Sequence, residues 1–100
     1  MGHFEDMIDQ MSAWFRDNRI RLESMGLRPT ITLGPAGRPK PSAWLDLEND
    51  RLMCRITVWE SGECDVHIID VHSHADDIEH HELRPIDLRT VLDQTVERLA

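Results

Sequence analysis

The stretch from Ser42 to Val71 most constrains the fold, because it contains three runs of alternating polar and apolar residues. Alternation with a period of two is typical of β-strands that bury one face. Asn49-Asp50 separates the first two runs and Glu60-Ser61-Gly62 separates the last two, and both sequences favour tight turns. We therefore predict that this stretch forms a three-stranded antiparallel meander around which the rest of the chain packs.

The two turns set the register of the strands and so decide which side chains share a face. A two-residue turn at Asn49-Asp50 predicts that Trp44 lies opposite Arg55. For the second turn, a three-residue loop with Gly62 in a left-handed conformation pairs apolar residues with apolar residues throughout. A two-residue loop would instead place charged and titratable groups on the buried face, so the three-residue loop is preferred. On this register the face that the helices cover carries aliphatic residues and cysteines: Ala43, Leu45, Leu47, Leu52, Cys54, Ile56, Val58, Cys64, Val66 and Ile68.

Helices are predicted on both sides of the meander. Between Phe4 and Met25, apolar residues recur every three or four positions, and the following Gly26 favours a helix end. We expect at least one of the bulky residues Trp14 and Phe15 to anchor the core. The chain then ends in a second amphipathic segment, Leu83 to Ala100, in which a residue near Pro85 begins the helix.

Shorter segments complete the predicted fold. Thr30-Ile31-Thr32-Leu33 is β-branched and alternates, which predicts a first strand. The segment from Gly34 to Pro41 has two glycines and three prolines and predicts a loop, and the polar segment from His72 to Glu82 predicts another. The fold class is therefore α+β: an N-terminal helix, a four-stranded antiparallel β-meander and a C-terminal helix, with both helices packed on one sheet face.

Composition limits the partners of the protein. The 100 residues suffice for one domain, residues 1–100, and 19 acidic against 11 basic residues give a formal net charge of -8. This charge repels phosphate backbones and anionic lipids, so nucleic acid and membranes are not expected partners, whereas a basic protein is. The chain shows neither a signal peptide nor a long apolar run, so we expect a cytoplasmic protein.

Metal and thiol chemistry have little support in the sequence. Cys54 and Cys64 are the only cysteines, and their spacing suggests neither a disulfide framework nor a zinc site. Asp70, His72 and His74 follow the Asp-x-His-x-His pattern of some metal-dependent hydrolases. Those enzymes need about 250 residues and carry the motif early, whereas only 26 residues follow His74 here. We therefore predict no cofactor and no enzymatic activity, and keep a small metal-dependent hydrolase as a minor alternative.

The more specific constellation is the face of the meander that the helices leave uncovered. Trp44, Arg55, Trp59 and His67 point to this side on the preferred register. Tryptophan and arginine are enriched at binding hot spots, and surrounding acids select a basic partner. The competing interpretation is that the end of a helix or the loop from residue 34 to 41 covers the tryptophans. The predicted partner-binding residues are Trp44, Asp46, Arg55, Trp59, Glu60, Glu63, Asp65, His67, Asp76 and Asp77.

The segment from Arg55 to Asp65, with its Trp-Glu-Ser-Gly-Glu-Cys core, resembles the TriTu family of bacterial immunity proteins. The strand at residues 42–47, the Trp14-Phe15 pair and His81-Glu82-Leu83 resemble the same family, so the likeness spans nearly the whole chain. His72-Ser73-His74 departs from the Ser/Thr-Gly turn that we would expect there. The resemblance implies a small cytosolic antidote, encoded beside an Rhs-type or related interbacterial toxin of the ADP-ribosyltransferase class, of which the best-known target is elongation factor Tu.

An immunity protein of this kind acts by binding its toxin and carries no catalytic residues. An NAD-using toxin has a cleft that accepts two phosphates, and an acidic protein suits such a cleft. The leading hypothesis is therefore an immunity protein that occludes the active site of a toxin delivered, for example, by type VI secretion. The alternative is an acidic chaperone for a secreted effector.

Overall fold

The computed structural model describes residues 6–35, 37 and 40–99. Two helices flank five strands in the order α1 (Met7–Ser24), β1 (Arg28–Leu33), β2 (Ser42–Glu48), β3 (Leu52–Trp59), β4 (Glu63–Asp70), β5 (Asp76–Glu82) and α2 (Pro85–Leu99). The strands form one antiparallel sheet in which each strand pairs with its neighbours in the sequence. The predicted α+β meander is confirmed, but it has five strands rather than four.

Local sequence signals position both ends of α1. Asp6 is the N-cap, and its carboxylate accepts a hydrogen bond of 2.8 Å from the backbone N–H of Asp9. At the other end Gly26 has a φ of 84°, which allows the N–H of Leu27 to reach the carbonyl of Leu22 at 3.1 Å. The predicted helix end at Gly26 is confirmed, while the predicted start at Phe4 lies outside the described residues.

The first hairpin of the meander has a different register from the predicted one. The side chain of Asn49 accepts hydrogen bonds from the backbone N–H groups of Arg51 and Leu52 at 2.8 and 2.7 Å. The turn is therefore centred on Asp50 and Arg51, one residue later than predicted, and each pair along the strands moves by two residues. Because side chains alternate with a period of two, the same residues still face the core.

The second hairpin confirms the predicted three-residue loop. Val58 pairs with Cys64 and the ladder continues with apolar partners, as the preferred register requires. Gly62 has a φ of 103°, and a Cβ at this position would lie 2.6 Å from the carbonyl oxygen of Leu83. A glycine is therefore required at this turn for both its backbone conformation and its close contact with the chain before α2.

Both helices pack on the predicted aliphatic face of the sheet. Trp14 is only 2 % exposed, and its indole N–H donates a hydrogen bond of 2.9 Å to Asp93 on α2. The half-buried Ile68 packs against the cluster. The buried core cluster joins residues of both helices with the inner residues of the sheet: Met7, Met11, Trp14, Leu22, Leu27, Ala43, Leu45, Leu47, Leu52, Cys54, Ile56, Val58, Cys64, Val66, Leu88, Leu92, Val96 and Leu99.

The segment from His72 to Glu82 was predicted to be a loop, and this is wrong for residues 76–82, which form β5. Alternate residues of β5 face the helices, and the members of this set are polar: Asp77, Glu79 and His81. Arg98 of α2 donates hydrogen bonds to Asp77 at 2.6 Å and to Glu79 at 2.5 Å. Ion pairs with α2 therefore replace the apolar contacts that a strand normally makes with the layer above it.

Candidate functional site

The face of the sheet opposite the helices, which we call the outer face, is built from alternate residues of the five strands. These side chains are exposed or half-buried. The strand pairing places the following residues on it: Arg28, Thr30 and Thr32 of β1; Ser42, Trp44, Asp46 and Glu48 of β2; Met53, Arg55, Thr57 and Trp59 of β3; Glu63, Asp65, His67 and Ile69 of β4; and Asp76, Ile78, His80 and Glu82 of β5.

Arg55 organises the centre of the outer face. It lies opposite Asp46 on one side and His67 on the other. Its guanidinium donates two hydrogen bonds to the two carboxylate oxygens of Asp46, at 2.8 and 3.1 Å. The same guanidinium lies 5.4 Å from the ring centroid of Trp44, so the two residues predicted to lie directly opposite each other instead stack across a diagonal. Three predicted residues, Trp44, Asp46 and Arg55, are thus brought into contact with one another.

Trp59 lies toward the other end of β3 and is half-buried. The ammonium of Lys40 lies 5.9 Å from its ring centroid and also forms an ion pair with Glu63. The hydrogen bond that Lys40 donates to Glu63 lowers the pKa of the Glu63 carboxyl below its usual value. The loop before β2 therefore covers part of Trp59, as the competing interpretation proposed, while leaving part of the ring open.

The histidines of β4 and β5 lie beside acidic partners. His80 and Asp65 face each other across the two strands and are joined by a hydrogen bond of 2.5 Å. His67 Nε2 is buried without a hydrogen-bond partner among the described residues, and the nearest carboxylate oxygen, on Asp76, lies 3.7 Å away.

We expect the His80–Asp65 contact to make stability depend on pH. The hydrogen bond that His80 donates to Asp65 is the main cause that raises the pKa of His80 above its usual 6.5, and the negative charges of Glu82 and Glu63 also raise it. Because the folded-state pKa is raised, the stabilisation is complete below about pH 6.5 and is lost as pH rises through the folded-state pKa. NMR titration should show the raised pKa, and Asp65→Asn should return it toward 6.5. If the pKa of His80 in the wild-type protein is no higher than in the Asp65→Asn variant, this prediction is contradicted.

Two predicted binding residues do not lie on the outer face. Asp77 points toward the helices and binds Arg98. Glu60 is exposed in the turn between β3 and β4, where a hydrogen bond with Asp6 raises the pKa of its carboxyl. That contact places Glu60 beside the start of α1. The outer face keeps the other eight predicted residues: Trp44, Asp46, Arg55, Trp59, Glu63, Asp65, His67 and Asp76.

Negative charge is concentrated on the outer face. It carries six carboxylates and two arginines. The excess of carboxylates over arginines on this face accounts for half of the formal net charge of -8. The two helices together carry six carboxylates and five arginines, so their charges nearly balance. A basic partner would therefore be drawn to the sheet rather than to the helices.

The Asp-x-His-x-His segment has a structural role in the structure. Asp70 accepts hydrogen bonds from the backbone N–H groups of His72 and Ser73 at 2.9 and 3.1 Å, which lowers the pKa of its carboxyl and closes the turn to β5. His72 and His74 are exposed, and the described residues contain no group of three or more side chains arranged to hold a metal ion. His74 has a φ of 62°, a conformation that glycine usually supplies.

The thiols of the two cysteines lie in the core. Cys54 and Cys64 are buried free thiols, as predicted, and burial raises the pKa of each to about 12. Both thiols therefore stay protonated and belong to the core. No helix in the described part of the chain is long and apolar enough to cross a membrane.

Comparison with known families decides the assignment. The family model described as Immunity protein TriTu matches residues 9–96, which cover nearly all of the helices and the whole sheet. The chain belongs to the TriTu immunity protein family. No curated protein sequence gives a significant match to it.

In this TriTu family member, the sequence alone missed four residues of the outer face as site candidates: Glu48, Met53, Ile69 and Ile78. Glu48, Met53 and Ile69 line a cavity of about 290 Å³ together with Asp46, Arg55 and His67. Met53 and Ile78 are 45 % and 63 % exposed. The alternation that placed Met53 and Ile69 on the outer side was the available signal. Ile78 had none, because β5 was predicted to be a loop.

Proposed function

We propose that the protein neutralises a cognate interbacterial toxin by binding it through the outer face of the sheet. The immunity role follows from the TriTu family, and the exposed, acidic face opposite the helices supports the location. Both helices bury their apolar sides on the inner face, so the outer face is the broad sheet surface left for a partner.

We propose further that the toxin domain is an ADP-ribosyltransferase and that the protein occludes its active site. A cleft that binds a dinucleotide must accommodate two phosphates and is therefore rich in basic groups. The outer face offers complementary charge, with Trp44 and Trp59 as aromatic anchors beside it. Charge complementarity of this kind speeds association, and well-packed anchors slow dissociation. The protein acts in the cytoplasm of the producing cell, without catalysis and without a cofactor.

Co-expression with the toxin encoded beside the immunity gene tests this function. Cells that express the toxin domain alone should stop growing, and cells that also express this protein should grow normally. A catalytically inactive toxin domain should elute with the protein as one complex on gel filtration. Persistent toxicity together with separate elution of the two proteins would contradict the proposal.

An enzymatic assay of the purified toxin separates an antidote from an export chaperone. An antidote binds a toxin domain that is already folded and active, so adding purified protein to active toxin should abolish the enzymatic activity. A chaperone would be needed to keep the toxin soluble and would leave the activity of the folded toxin unchanged.

A further inference from the structure

A strip of apolar side chains crosses the outer face near the β2–β3 turn. Met53 and Ile69 are directly paired across β3 and β4, and Ile78 lies diagonally across from Ile69 on β5. Ile78 and Met53 are 63 % and 45 % exposed. An apolar centre inside a polar rim is the usual anatomy of a protein interface.

A cavity adjoins this strip. It measures about 290 Å³ and extends from Glu48 of β2 to Met53 and Ile69, with Arg55 and His67 along one side. At about 30 Å³ for each water molecule, it has room for roughly ten water-sized groups. That volume lies just below the range of about 300 to 1,000 Å³ that is typical of small-molecule pockets, and it suits one long side chain.

Among the charges around the cavity, one carboxylate, Glu48, lacks a direct partner in the described part of the chain and interacts with Arg55 only through longer-range charge attraction. Arg55 and Asp46 bind each other through two hydrogen bonds, so their charges cancel locally. Glu48 has no hydrogen bond or ion pair with the described residues, although it lies opposite Arg28. Arg28 instead lies 3.7 Å from Asp50. A cation that entered the cavity would therefore meet Glu48.

We propose that this cavity receives a lysine or arginine side chain of the toxin. The aliphatic stem of that side chain lies on Met53 and Ile69, and its cation pairs with Glu48. Ile78 contacts apolar residues of the toxin that lie next to this lysine or arginine. This inference rests on the proposed function and locates the centre of the interface on the apolar strip, beside the Trp44–Arg55 unit rather than on it.

The methionines allow a test on the unmodified protein. With the methyl groups of methionine labelled with ¹³C, we expect the Met53 resonance to shift when a catalytically inactive toxin domain is added. Met25 is 37 % exposed, similar to Met53, but lies at the end of α1, and its resonance should not move. Met7 and Met11 are fully buried and should not move either.

Charge reversal provides the second arm. Glu48→Lys should raise the Kd for the toxin domain by at least about 30-fold, because it places a cation where the toxin presents one. Glu97→Lys makes the same charge change on the exposed side of α2 and should change the Kd by no more than about twofold. Thermal midpoints of both variants should confirm that they are folded.

The outcomes separate this inference from the function on which it rests. A complex in which Met53 keeps its free resonance, or in which Glu48→Lys binds as tightly as Glu97→Lys, would overturn the cavity proposal and leave the immunity role intact. The absence of any complex with the wild-type protein would overturn both.

Discussion

Replacing Trp14 by alanine should lower the free energy of unfolding by about 3 to 5 kcal/mol. Trp14 is 2 % exposed and is the largest fully buried side chain of the core, so its removal leaves a cavity there. It also removes the hydrogen bond of 2.9 Å to Asp93 that links the two helices. A loss of this size is a large part of the 5 to 15 kcal/mol that typically stabilises a domain.

Urea unfolding followed by circular dichroism measures this effect, with two variants as controls. Ile20→Ala removes a side chain of the same helix that is 82 % exposed and should change stability by less than about 0.5 kcal/mol. Asp93→Ala keeps the indole packed and removes the acceptor of its hydrogen bond, at a cost of about 1 kcal/mol. A loss below about 1.5 kcal/mol for Trp14→Ala would show that Trp14 does not anchor the core.

The sequence predicted those parts of the fold in which one pattern dominates. The alternation in β2, β3 and β4 predicted their buried faces, and the choice of a three-residue loop at Gly62 predicted the pairing of β3 with β4. The predicted register of the first hairpin was wrong by two residues. Asn49 precedes the turn rather than lying in it, and its side chain accepts hydrogen bonds from the backbone N–H groups of Arg51 and Leu52. This error left the faces unchanged but altered the partner of Arg55, which pairs with Asp46 and stacks diagonally on Trp44.

β5 could not be predicted from its own sequence, because Ile78 is the only apolar residue of the strand. The signal for this strand lies elsewhere in the chain, in Arg98 of α2, whose guanidinium binds Asp77 and Glu79. Alternation of apolar residues therefore cannot predict a strand whose inner side chains form ion pairs instead of apolar contacts. The consequence for the site was direct, since β5 supplies Ile78 and Asp76 to the outer face.

The sequence predicted which aromatic and charged residues of β2, β3 and β4 share the outer face, but it did not single out the apolar residues between them. Arginine, tryptophan and acidic residues attract notice because they are typical of binding surfaces. Met53 and Ile69 were not predicted as binding residues, because single exposed apolar residues are common on proteins. Only the three-dimensional pairing shows that they adjoin each other and a cavity.

The second large effect concerns binding. Arg55→Ala combined with Trp59→Ala should raise the Kd for the toxin domain by at least about 100-fold, because truncation of arginine and tryptophan anchors commonly costs 2 kcal/mol or more each. The fold should persist, since Arg55 is exposed and Trp59 is half-buried. We expect the thermal midpoint to fall by no more than about 5 °C.

A matched double variant on the helical side makes this comparison specific. Arg19→Ala with Ile20→Ala also removes one arginine and one large apolar side chain, from exposed positions of α1. It should leave the Kd within about threefold of the wild-type value, because α1 lies on the opposite side of the sheet from the outer face.

Isothermal titration of the inactive toxin domain into these two double variants tests most directly whether the outer face of the sheet binds the toxin. The account predicts that binding is lost or weakened at least about 100-fold in the Arg55/Trp59 variant and is kept in the Arg19/Ile20 variant. Wild-type affinity in the Arg55/Trp59 variant, or loss of binding in the Arg19/Ile20 variant alone, would place the interface on another surface and contradict the account.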